Sequence, residues 1–124
     1  MTVTSLDQLN LAFAERFNAR DLEGLMRLNT DDVVFVPAPG TPVTGEAGVR
    51  GALEQFLALD LPIEMVVRHV FASGDIGLAI ADWSIVGTGP DGSEVALSGT
   101  TADVAVYDDE HGWRYAVDNP FGTD

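Results

Sequence analysis

Asp103 lies in the middle of GTTADVAVY, residues 99–107. The stretch reads as a β-strand, and Asp is depleted in strands. A carboxyl on the covered face of a sheet needs a hydrogen-bond partner, a raised pKa or water. A raised pKa would suit it to general acid/base work or to donating to a ligand oxygen. The same placement also suits a structural carboxylate tied to a Tyr, a Thr or backbone. His69, in IEMVVRHVF (63–71), is the natural general base near neutral pH. Asp82, Thr101, Tyr115 and Asn119 are further polar side chains able to orient a carbonyl or hydroxyl, and Phe13, Phe17, Phe35 and Phe56 are candidates to wall an apolar pocket around them. The chain has two His and no Cys, which rules out thiolate chemistry. It has no helical His-x-x-x-His pair, so no metal site is expected. No Gly-rich loop joins a strand to a helix, so no phosphate-bearing cofactor is expected either. The chemistry left is cofactor-free acid/base work.

The elements that must position these residues follow from hydrophobic period. SLDQLNLAFAERFNAR (5–20) opens with a capping box, Ser5 with Gln8, and places Leu6, Leu9, Phe13 and Phe17 on one helical face. Asp21 caps a short second helix. DDVVFVP (31–37) is a strand stopped by Pro37. After a Pro/Gly loop, GEAGVRGALEQFLAL (45–59) is a third helix. From Ile63 the period becomes two, giving strands at 63–71, 76–87, 94–107 and 113–122. Three helices before an antiparallel meander make an α+β domain, with the helices on one face of a curved sheet.

The turns set the facing. A two-residue turn at Pro90-Asp91 places Leu78 opposite Asp103 and Ile80 opposite Thr101. A tight turn at Ser73-Gly74 places His69 opposite Leu78 and Met65 opposite Asp82. His69, Asp82, Thr101 and Asp103 then share the helix-covered face with Met65, Phe71, Ile76 and Leu78. His69 and Asp103 would be about 10 Å apart, two strand spacings. The other face would carry Arg68, Trp83, Ile85 and Val104, an apolar surface that a second copy of the chain could cover.

The 124 residues suit a single domain, 1–124, and 46% are hydrophobic. The formal charge is −14, with six arginines and no lysine, which disfavours nucleic acid and anionic membrane surfaces as partners. No apolar run is long enough to span a membrane. The N-terminus lacks the features of a signal peptide, and a cytoplasmic protein is expected.

NARDLEGLMRL (18–28), TDDVVFVPAPGTPVTGEAGVRGALEQF (30–56) and DGSEVALSGTTADVAVYDDEHGWRYAVDNPFG (91–122) together resemble the NTF2-like superfamily. The terminal WRYAVDNPFG is similar to a SnoaL-like subgroup of the SgcJ/EcaC type, related in fold to ketosteroid isomerase. The resemblance implies a cone: three N-terminal helices packed on a curved, mainly antiparallel sheet. Ketosteroid isomerase uses an Asp base with an oxyanion hole of a Tyr and a protonated Asp. By position the Tyr falls on Phe13 and the base on Val36, and only the protonated Asp has an equivalent, Asp103. Steroid isomerisation by that route is therefore not expected. The resemblance leaves two expectations. One is a homodimer binding a small, largely hydrophobic molecule, with isomerase, cyclase or dehydratase chemistry by Asp103 and His69. The other is a non-catalytic binding or dimerisation module.

Overall fold

A computed structural model describes residues 2–124. A single 3-10 turn (Leu6–Gln8) runs into α1 (Leu9–Asn18), followed by α2 (Leu22–Arg27), β1 (Asn29–Ala38), β2 (Thr41–Val43) and α3 (Glu46–Leu57). Five strands complete the chain: β3 (Glu64–Ser73), β4 (Ile76–Thr88), β5 (Glu94–Thr100), β6 (Asp103–Asp108) and β7 (Gly112–Asp118). They form one mixed sheet in the order β2-β1-β7-β6-β4-β3, with β5 paired to β4. All pairings are antiparallel except β1 with β7. The three helices cover one face of this curved sheet, the expected α+β cone.

Local chemistry explains the helices. Asp21 caps α2, accepting from the Gly24 N–H at 2.9 Å. The capping box at Ser5 does not form, because the Ser5 hydroxyl donates to the Asp7 carboxylate instead. Leu9 and Phe17 of α1, Leu25 of α2, and Val49 and Leu53 of α3 point into the core with Phe35 and Ile85 of the sheet. Removing this apolar surface from water is the main stabilising term.

The β4–β5 hairpin differs from expectation by one residue and the β3–β4 hairpin by two at its turn and one past its bulge, with large consequences. The β4–β5 loop spans 89–93, because the Asp91 carboxylate accepts from the Ser93 N–H and hydroxyl and holds one more residue in the turn. Val86 therefore pairs with Ala96 and Ala79 with Asp103. A shift of one residue turns a strand over. On β4 the inward row is Gly77, Ala79, Ala81, Trp83 and Ile85, all buried. Ile76, Leu78 and Val86 look outward and are exposed. On β3 a bulge between Val67 and His69 splits the strand. Met65 and Val67 face inward as expected, whereas His69 and Phe71 pair with Ile80 and Leu78 on the outer face.

Trp83 and Ile85, expected outside, are thus core residues. The Trp83 indole N–H donates to the Pro120 carbonyl at 2.6 Å, which satisfies its polar edge within the fold. Arg68 stays on the outer side, 3.7 Å from Asp82, and Val104 stays there half-buried. The stretch 94–107 is two strands rather than one. It breaks at Thr101, whose hydroxyl takes the Ala81 N–H at 3.0 Å in place of a ladder carbonyl.

Candidate functional site

The inner face of β6 and β7 carries a row of buried polar groups at the end of the cone where α1 crosses the sheet. Val104 pairs with Val117, which sets Asp103 opposite Asp118 across the two strands. Opposed residues share a face, and both carboxyls are buried. A register shift at Ala116 brings Tyr115 onto the same face, opposite Ala105. From above, α1 adds Asn10, which is only 1% exposed.

These groups form one network. The Asn10 amide donates to Asp103 Oδ2 at 3.0 Å and to the Tyr115 hydroxyl at 2.9 Å. The Asn119 backbone N–H donates to Asp103 Oδ1 at 2.9 Å. Asp118 adds a side-chain hydrogen bond to Asp103, and the Thr101 hydroxyl lies beside them, donating to the Ala79 carbonyl at 3.4 Å. A carboxylate has about four acceptor positions, and Asn10 and the Asn119 N–H take one on each oxygen of Asp103.

Burial raises the Asp103 pKa to about 6, against the lowering effect of these donors. Burial raises Asp118 further from its ordinary range, and the adjacent Asp103 charge adds to it. Asp118 therefore carries the proton and gives it to Asp103 as a hydrogen bond. Two like charges this close cannot both be ionised at neutral pH. Burial and the neighbouring acids likewise keep Tyr115 protonated.

A small cavity of about 40 Å³ opens beside this network, room for on the order of one water. Its walls are Phe13, Phe17, Phe35, Phe56, Met65 and Trp83, and its polar edge is Asn10, Thr101, Asp103, Tyr115 and Asp118. Phe13 meets the Tyr115 ring edge-on at 6.2 Å and Phe17 in a stack at 6.0 Å. One polar atom is left over: Asn10 Oδ1 is buried without a hydrogen-bond partner.

Asp103, Thr101, Tyr115 and the four phenylalanines thus come together around one hollow. His69 does not join them. The β3 bulge turns it to the exposed outer face, where its ring stacks on Phe71 at 5.8 Å. Asp82 is also outside and exposed, accepting from the Thr100 hydroxyl at 2.7 Å, because β4 is turned over. The Asn119 side chain closes the C-terminal turn, donating to the Gly122 carbonyl at 2.8 Å, so only its backbone serves the network.

Two members escaped the sequence reading. Asn10 interrupts the apolar face of α1, four residues after Leu6 and three before Phe13, which was a legible signal. Asp118 was hidden by the bulge at Ala116, since strict alternation from Trp113 sends it outward. Among the described residues, no group of three or more His, Asp and Glu side chains is placed to hold a metal ion. No described helix is long and apolar enough to cross a membrane.

Solved structures share this architecture. An NTF2-like superfamily protein from Salmonella enterica serovar Typhimurium superposes with a TM-score of 0.77 at 13% identity, covering 96% of this chain and 89% of its own. A proposed dehydratase of the NTF2-like family from Streptomyces avermitilis gives 0.73 at 21%, covering 89% and 88%. A ketosteroid isomerase-like protein from Erwinia carotovora atroseptica gives 0.70 at 16%, covering 90% and 88%. At these identities the likeness shows the fold. No curated protein matches the chain. The model of the SnoaL-like domain matches residues 11–112, and the chain belongs to that family.

Proposed function

We propose that the protein is a cofactor-independent acid/base catalyst, of isomerase, cyclase or dehydratase type, acting on a small and largely hydrophobic molecule in the cytoplasm. The observation that carries this reading is the pair Asp103–Asp118 on the wall of an otherwise apolar cavity. Such a pair, holding one proton and one negative charge, supplies a donor and an acceptor together. Because Asp103 is tied to Asn10 and the Asn119 N–H while Asp118 holds the proton, exchange with a ligand runs through Asp118. Asp118 gives its proton to a ligand oxygen while the pair takes one from the ligand, restoring its charge. Tyr115 accepts from Asn10 and has its own O–H to offer to the same oxygen. Asp103 is a positioning residue here, holding Asp118 protonated.

A panel of small cyclic ketones and β-hydroxy ketones, followed by NMR in D₂O for exchange or loss of water, tests this. The account predicts turnover by the wild type and a fall of about 10²-fold or more in Asp118→Asn. Ligands that bind but react equally slowly with both proteins would contradict it.

One observation favours a second reading, a non-catalytic binding or dimerisation module: at about 40 Å³ the cavity is smaller than a substrate. A ligand must part the half-buried Phe13, Phe56 and Met65 to enter. Both readings include a homodimer through the outer sheet face, where Val66, Phe71, Ile76, Leu78 and Val86 are exposed.

A further inference from the structure

A second and larger cavity, of about 600 Å³, lies at the other end of the inner sheet face and shares no residue with the one above. Trp113 and Tyr115, two residues apart on β7, share the inner face, and their separation along the strand divides the two: Tyr115 lines the small cavity and Trp113 the large one. The floor of the large cleft is apolar, made by Met26, Leu28, Val33, Val49 and Trp113. Its volume lies within the range of about 300–1,000 Å³ typical of small-molecule sites.

Its charge is unlike the rest of the protein. Four of the six arginines, Arg16, Arg27, Arg50 and Arg114, line it, with His111, in a chain of net charge −14. The acids that face them are Glu23, Asp31, Glu46 and Glu110. Arg50 engages Glu23 and Glu46, which satisfies both. Arg114 donates from one terminal nitrogen to Asp108 at 3.2 Å, but its Nε is buried with no acceptor. Arg27, on the last turn of α2, forms neither a hydrogen bond nor an ion pair among the described residues, and its charge reaches Glu23 only at a distance. The α3 N-terminus also opens here, with Gly45 and Glu46 in the wall and no side chain capping it. Arginine forks match the paired oxygens of carboxylates and phosphates.

We propose that this cleft is a second ligand site, for a small organic anion with an apolar body. The body lies on the Trp113 floor, and a carboxylate or phosphate head is held by Arg27 and Arg114. The site is independent of the acid/base cavity.

The two tryptophans make the test selective, since Trp113 lines this cleft and Trp83 the other cavity. Benzoate, phenyl phosphate and neutral benzyl alcohol are each titrated while both indole N–H resonances are followed by NMR. Expected is a saturable shift of Trp113, with Trp83 still, for one or both anions and none for the alcohol. Which anion binds assigns the head group. Arg27→Gln and Arg114→Lys should each weaken binding about tenfold, the loss of one charge-assisted hydrogen bond. Arg27 is exposed, so its variant tests the site without disturbing the core. The proposal is overturned if neither anion saturates in the millimolar range, if benzyl alcohol binds equally, if Trp83 responds instead, or if Arg27→Gln binds as the wild type does.

Discussion

At the level of single residues, one proton decides the behaviour of the buried acids. Asp103 has an ordinary value of 3.8 unfolded and about 6 folded, so the native state binds its proton more tightly than the unfolded chain does. The sign follows: its contribution is fully present below about pH 4 and is lost as pH rises through about 6. At about 1.36 kcal/mol per pH unit the change amounts to about 3 kcal/mol. Urea denaturation of wild type and Asp103→Asn between pH 4 and 7.5 isolates it from the general repulsion of an acidic chain. The wild type should lose stability relative to the variant across that window. Asn10 tests the network from the other side. Its amide lowers the Asp103 pKa by donating to the carboxylate, so Asn10→Ala should push that pKa further up. The variant should cost about 1–3 kcal/mol at neutral pH and less near pH 5, where the carboxyl is protonated.

At the scale of the element, small side chains make the cone. The inward row of β4 is Gly77, Ala79 and Ala81 before it reaches Trp83, and the N-terminal turn lies directly on it. A Cβ at Gly77 would stand 2.5 Å from Leu6 Cδ2. Gly77→Ala is therefore expected to destabilise by about 1–3 kcal/mol through overpacking, measured by thermal or urea unfolding. This row also shows what could be read in advance. The three helices and the strands at 31–37, 63–71, 76–87 and 113–122 followed from period and hold in the structure, whereas β2 and the division of 94–107 into β5 and β6 did not follow. Asp103 does face inward, but opposite Ala79 rather than Leu78. The facing of β4 did not follow, because hydrophobic size pointed the wrong way. Its large residues Ile76, Leu78 and Val86 lie outside, and its alanines lie under the helices. The error traces to Asp91, whose side chain lengthens a turn by one residue, and to the bulge that sends His69 outward. Such local events leave no mark on hydrophobic alternation, and one residue decides a face.

At the scale of the whole molecule, two features of the sheet need each other. The concave face holds buried charge and two hollows; the convex face exposes Val66 at 65%, Val86 at 64% and Phe71 at 60%. Single apolar residues are common on surfaces, and it is the number of large ones exposed on one sheet face that supports the proposed contact with a second copy of the chain. The chain is expected to sediment as a dimer at micromolar concentration. Phe71→Glu should give a folded monomer, and an unchanged mass for that variant would remove the outer face from the account. The deeper claim is that the cone encloses an acid pair that shares one proton at neutral pH. The most direct measurement is the pH titration of the Asp103 and Asp118 side-chain carboxyl carbons by ¹³C NMR, assigned with the two Asn variants. The account predicts that the pair loses its first proton near pH 6 and keeps the second, on Asp118, well above that. Two carboxyls titrating independently near pH 4 would contradict it.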